Sequence, residues 1–122
     1  MNDGPISVLL VEDNLGDARL LQEALADIPG APFTVTHVTR LSEGLRRLGA
    51  GGVHVVLLDL SLPDASGLET VRRTRGAAPG VPIVVLTGLA DEGFSLKAVR
   101  EGAQDYLIKG QIDGNLLVRS MR

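Results

Sequence analysis

The sequence predicts an α/β domain built on a parallel sheet with helices on both faces. Three observations carry this. Short Val-rich aliphatic runs recur along the chain at Val8–Val11, Val53–Leu58 and Ile83–Leu86. Segments with apolar residues three and four apart lie between them. The links joining the two kinds of segment are short. Nearly continuous aliphatic runs suit strands covered on both sides, as in the middle of a parallel sheet. Strict alternation with helices requires crossover connections, which are right-handed.

The first run, Val8 to Val11, is followed by a helix that opens at Asn14, a good N-cap residue. Ala18, Leu21, Leu25 and Ile28 form its apolar stripe, and Pro29-Gly30 ends it. Phe33 to Val38 alternates rather than running continuously. Thr34 and Thr36 share one face, the pattern of a strand nearer the sheet edge. Ser42 to Leu48 is a second helix, stopped by Gly49, Gly51 and Gly52. The third strand, interrupted by His54, leads to a helix over Gly67 to Thr74, closed by Pro79-Gly80. After the fourth strand comes a helix over Asp91 to Arg100, ended by Gly102. A brief fifth strand, Asp105 to Lys109, precedes a last helix from Asp113 to Arg122. The chain stops within that helix pattern, so the expectation is one domain, residues 1–122, cut near the end of its final helix.

Composition narrows the function classes. One domain of 122 residues with 44 % hydrophobic content can bury a single core. The net charge of −3 gives no general attraction to nucleic acid or anionic membrane. With no cysteine there is no disulfide framework or thiolate metal site, which fits a cytoplasmic location. No apolar run approaches the roughly 20 residues a bilayer requires.

Ligands of open α/β sheets bind beyond the C-terminal ends of the strands. The residues at those ends are Glu12-Asp13 after the first strand, Asp59 at the end of the third, Thr87 at the end of the fourth and Lys109 at the end of the fifth. A parallel sheet brings these three carboxylates, a hydroxyl and an ammonium to one edge. Crowded carboxylates repel unless positive charge lies among them. Lys109 supplies one charge, and a hard divalent ion with oxygen ligands, such as Mg²⁺, supplies the rest. A carboxylate beside such an ion can attack phosphorus to give an aspartyl phosphate, with Lys109 and Thr87 on the phosphoryl oxygens.

Four blocks together resemble the marker segments of response-regulator receiver domains of two-component signalling. They are Leu10-Val11-Glu12-Asp13-Asn14, Leu57 to Asp64 with Gly67, Val85-Leu86-Thr87-Gly88, and Gly102 to Lys109. The resemblance covers essentially the whole chain. It implies a flavodoxin-like (βα)5 three-layer sandwich with strand order 2-1-3-4-5. It makes Asp59 the phosphoacceptor, and gives a Mg²⁺ to Asp13, Asp59, the Ser61 backbone carbonyl and, through water, Glu12. Thr87 and Lys109 would bind the phosphoryl group, and Tyr106 would act with Thr87 as the switch. On phosphorylation Thr87 and Lys109 would move inward, changing the surface around the fourth and fifth helices. The implied donor is a phosphohistidine on a sensor kinase or phosphotransfer protein. A homodimer or a downstream effector is the implied output partner, with no direct binding of nucleic acid or membrane by the domain. Such a domain assists its own phosphorylation and dephosphorylation but is a switch, not a metabolic enzyme.

Gly110 stands where the family usually has proline, so the Lys109–Gly110 peptide is expected to be trans, with Gly110 free to adopt positive φ. Other readings compete. A flavin or nucleotide binder would need a Gly-, Ser- or Thr-rich loop after the first strand, where this chain has two acids. An aspartyl-phosphate phosphatase would need an acid at Ser61. A receiver-like interaction module that works without phosphorylation is the strongest alternative. His37 and His54 are expected to be structural and away from the site, Arg72, Arg73 and Arg75 to form a solvated basic face, and Pro63 and Gly67 to shape the loop after Asp59.

Overall fold

The computed structural model describes residues 5–28, 32–88, 92–110 and 119. The last predicted helix, Arg119 apart, the Pro29-Gly30 stop and the Asp91 helix start lie outside the described residues. The elements in chain order are β1 (Ile6–Val11), α1 (Leu15–Ala26), β2 (Phe33–Val38), α2 (Leu41–Gly49), β3 (Val55–Asp59), β4 (Ser61–Leu62), β5 (Ala65–Ser66), α3 (Leu68–Ala77), β6 (Ile83–Thr87), α4 (Glu92–Arg100) and β7 (Asp105–Ile108). Five parallel strands form the main sheet in the order β2-β1-β3-β6-β7. Counted within that sheet alone, this is the expected flavodoxin-like order 2-1-3-4-5.

Strand alternation sorts the aliphatic side chains into two layers. Val8, Leu10, Val55, Leu57, Val84 and Leu86 face α1 and pack on Ala18, Leu21 and Leu25. Leu9, Val11, Val56, Leu58, Ile83 and Val85 face the other way, toward Leu41 and Leu48 of α2, Val71 of α3 and Ala98 of α4. Every residue of β3 and β6 is buried, which explains why those segments read as continuous apolar runs. On edge strand β2 every residue is partly buried except Thr34, which is exposed. Gly44 lets α2 approach the sheet: a Cβ there would meet Val11 Cγ2 at 3.1 Å.

One element has no counterpart in the sequence patterns. Between Asp59 and α3 the chain forms a small antiparallel hairpin, β4 with β5, in the register Ser61↔Ser66 and Leu62↔Ala65. Strands of two residues carry no readable periodicity. Asp64 at the hairpin turn accepts from the N–H groups of Leu41 at 2.8 Å and Ser42 at 2.9 Å. The N-cap residue of α2, Arg40, makes no side-chain cap bond, so a residue from the hairpin caps this helix from a distance. Those hydrogen bonds lower the Asp64 pKa below its ordinary value.

One further expectation is corrected. His54 is exposed and lies just ahead of β3, not within a buried strand; its Nδ1 accepts from the Ser7 N–H at 2.8 Å. Arg72, Arg73 and Arg75 of α3 are exposed, as expected of a solvated basic face, and two of them also make contacts across it. Arg72 pairs with Glu101 at 2.7 Å, and Arg75 donates to the Glu101 carbonyl at 3.5 Å, so both tie α3 to the end of α4. The Lys109–Gly110 peptide is trans, with Gly110 at φ 86°.

Candidate functional site

The aliphatic ladders end in polar residues at one edge of the sheet. Glu12 follows β1 directly, and its N–H still donates to the Val38 carbonyl of β2 at 3.0 Å. Asp59 is the last residue of β3, in register with Leu86. Thr87 ends β6 beside Ile108. Lys109 leaves β7 with its N–H donated to the Thr87 carbonyl at 2.7 Å. Strand order and register thus bring Glu12, Asp13, Asp59, Thr87 and Lys109 together at one end of the sheet.

Glu12, Asp13 and Asp59 can each offer a carboxylate oxygen within 4.8 Å of the others. Glu12 is fully buried and Asp59 nearly so, at 6 % exposure, whereas Asp13 is open to solvent. The Lys109 ammonium lies 2.6 Å from Glu12 Oε1, 3.2 Å from Asp17 Oδ2 and 3.4 Å from Asp59 Oδ2. The Lys109 ammonium therefore already lies inside the acid cluster in the unphosphorylated chain.

The charges are not equally comfortable. Burial, then hydrogen bonding to Asp59, raises the Glu12 pKa to about 7 despite the opposing effect of Lys109. Burial works against the Lys109 charge, but the hydrogen bond to Glu12 and the fields of Asp59 and Glu12 outweigh it, and its pKa is raised.

The remaining predicted residues are Ser61, Thr87 and Tyr106. Ser61 opens β4 and donates its N–H to Asp59 Oδ1 at 3.2 Å. The Thr87 hydroxyl is turned to the Gly88 carbonyl, 3.3 Å away. Tyr106 lies on β7 in register with Val85, half-buried against the core on the α2–α4 side.

Sequence reasoning missed two neighbours. Asp17, in the first turn of α1, adds a third carboxylate to Lys109; its N–H is held by the Asn14 cap at 2.9 Å. Its position one helical turn past the acidic pair was the available signal. His37 was expected away from the site, yet its Nε2 lies 2.8 Å from the Glu12 carbonyl oxygen. Its place near the end of β2, beside β1, was visible only once the strand order was known.

The cluster suits a divalent cation. All three donors are carboxylate oxygens, the ligands a hard ion prefers, and their spacing approaches the roughly 3–4 Å that separates two oxygens on one octahedral Mg²⁺. Of the three acids, Glu12 makes the shortest contact with Lys109.

The fold and this lysine-bridged acid pocket define a flavodoxin-like domain with a cation site beyond its strand ends. The chain belongs to the response regulator receiver domain family, whose profile matches residues 8–121, and it is a receiver domain of two-component signalling. It is 32 % identical to the transcriptional regulatory protein CusR of Escherichia coli (strain K12), over 93 % of this chain and 49 % of that protein. A response regulator from Burkholderia pseudomallei, whose crystal structure holds a phosphorylated aspartic acid, a calcium ion and citrate, superposes with a TM-score of 0.79. It is 26 % identical, with 96 % of this chain and 66 % of that chain covered. The phosphorylated cyanobacterial phytochrome response regulator RcpA gives a TM-score of 0.77 at 28 % identity, covering 97 % of this chain and 90 % of that one. The chain spans about half the length, or less, of the curated relatives it matches. Among the described residues no helix is long and apolar enough to cross a membrane.

Proposed function

We propose that Asp59 accepts a phosphoryl group from a phosphohistidine of a sensor kinase or phosphotransfer protein, and that the domain acts as a cytoplasmic switch. The observation that carries this reading is the near-buried Asp59 carboxylate set beside Asp13, Glu12 and the Lys109 ammonium. An Asp59 oxygen attacks phosphorus, the P–N bond to the donor imidazole breaks, and the leaving nitrogen keeps the electron pair and takes a proton.

Asp13, Asp59, the Ser61 carbonyl and, through water, Glu12 hold a Mg²⁺, which when bound offsets charge on the acids and the phosphoryl oxygens. Lys109 stays within reach of Asp59 from its seat on Glu12 and neutralises a phosphoryl oxygen. Thr87 leaves the Gly88 carbonyl and donates to another oxygen. Tyr106 follows Thr87, which biases the surface around α4, β7 and the chain beyond it toward one of two pre-existing arrangements. The CusR relative is named a transcriptional regulator. By analogy, the partner that reads this surface here is a downstream effector or a second receiver.

Incubation with acetyl phosphate and Mg²⁺ tests the reading. The wild type forms a phosphoprotein and Asp59→Asn does not. Equal labelling of both proteins would overturn the acceptor assignment, and no labelling of either would favour a phosphorylation-independent interaction module.

A further inference from the structure

The β1–β2 ladder ends at Val11↔Val38, yet the next residue of β1 stays tied to β2 at both of its peptide groups. The Glu12 N–H donates to the Val38 carbonyl at 3.0 Å. The Glu12 carbonyl is met by a side chain instead of the main chain: His37 Nε2 lies 2.8 Å from it. A carbonyl oxygen can only accept, so Nε2 carries the hydrogen and donates.

That carbonyl belongs to the peptide joining Glu12 to Asp13. Its orientation sets the direction in which Asp13 leaves the strand. Beyond this point the two chains part, β1 turning into α1 at Asn14 and β2 running to Arg40 and α2. A backbone donor from β2 would need the strands to stay paired. An imidazole reaches across while they separate. On the far side, the Asn14 N–H donates to Glu12 Oε2 at 3.2 Å, which ties the turn to the Glu12 carboxylate but leaves the Glu12–Asp13 peptide plane to His37.

We propose that His37 is a positioning residue of the cation pocket: by holding the Glu12–Asp13 peptide it sets the aim of the Asp13 carboxylate and so the affinity for Mg²⁺. The proposal rests on reading the acid cluster as a Mg²⁺ site. Groups that orient metal ligands typically carry 10- to 100-fold in affinity, and one acting through the main chain belongs at or below the low end, about five- to tenfold.

Mg²⁺ alone, titrated into the chain at one fixed pH and followed by amide NMR shifts, tests this with four variants. His37→Phe and His37→Asn, neither of which places a donor at the Nε2 position, weaken Mg²⁺ binding by about five- to tenfold. They also speed hydrogen exchange of the Asp13 amide in metal-free protein. His37→Gln, whose terminal amide reaches as far as Nε2, returns the affinity to within about twofold of wild type. If His37→Phe does not fold, the contrast between Asn and Gln decides the matter. Wild-type affinity in the folded Phe or Asn variant overturns the proposal, as does a loss that Gln does not recover. Asp13→Asn separates the two levels: wild-type Mg²⁺ affinity in that variant overturns the cation-site reading itself.

Discussion

Lys109 sits closer to Glu12 than to Asp59, 2.6 Å against 3.4 Å. The residue that anchors the ammonium is thus not the one proposed to react. Glu12 is fully buried, so its carboxylate has little water to fall back on and holds the cation firmly. Asp59 keeps Oδ1 on the Ser61 N–H and shares Lys109 through Oδ2. In the unphosphorylated chain Lys109 is thus shared between the two acids rather than free in solvent.

Mg²⁺ affinity should depend on pH through Glu12. Its folded pKa of about 7 lies above the ordinary 4.5, so the metal-free folded chain binds more protons than the unfolded chain between those values. Metal-free stability then falls as pH rises from about 4.5 through about 7. Cation binding favours the ionised form. Affinity climbs with pH below about 7, by at most about tenfold per pH unit for one proton, and levels off above it. Mg²⁺ titrations at several pH values check this. Glu12→Gln should flatten the profile, and an unchanged profile would assign the titration to another group.

Removing the cation exposes the same imbalance. Lys109→Met removes the partner that holds the Glu12 pKa down, so at pH 8 the folded chain must either keep a buried unpaired carboxylate or take up a proton that the unfolded chain does not bind. The ion pair is partly open to solvent, so the full cost of orphaning a buried charge does not apply, and about 1–3 kcal/mol is expected. At pH 5.5 Glu12 takes up a proton and most of that loss disappears. Thermal melts in a chelator at the two pH values measure the difference. Equal losses at both would mean that packing, not charge, is what Lys109 supplies.

Asp59→Asn should stabilise the metal-free domain. It removes one of the crowded carboxylates while keeping an oxygen to accept from Ser61. The gain is about 0.5–1 kcal/mol, a rise of a few degrees in Tm. The same variant should lose most of the Tm increase that Mg²⁺ gives the wild type. A variant less stable than wild type in chelator would show that the Asp59–Lys109 contact outweighs the repulsion.

Asp64→Ala should destabilise the domain by about 1 kcal/mol, because two N–H groups at the start of α2 lose their acceptor. Asp64→Asn, with one acceptor oxygen left, falls between. The Asp64 pKa is lowered, so the stability it adds is present above its ordinary value of 3.8 and is lost as pH falls through the lower folded value. Chemical denaturation near neutrality and in acid would reveal both effects. An Ala variant as stable as wild type would mean that water caps α2 equally well.

Much of this was legible in the amino-acid order because the two signals that place the site are local. A buried parallel strand announces itself as an unbroken aliphatic run, and the residue where the run stops is at the sheet edge. Asp59 and Glu12 were found in that way, as were Thr87 and Lys109. The weaker alternation at Thr34 and Thr36 marked β2 as the outer strand. The contacts of Asp64, His37 and Arg72 reach across 22 or more positions, and they depend on which strands and helices become neighbours. No periodicity encodes them. His54 was misplaced for a simpler reason: strand ends carry the least pattern, and β3 starts two residues later than its apolar run suggests.

The acids and the lysine lie past the ends of the aliphatic layers, and none of them belongs to either buried cluster. Loss of the Asp59 carboxylate is therefore separable from the architecture in this domain, whereas loss of Lys109 is not. A lineage can lose the acceptor carboxylate without dismantling the scaffold, keeping a folded adaptor frozen in one signalling state. The same separation makes the domain a practical chassis for grafting other oxygen-ligand pockets onto an unchanged core.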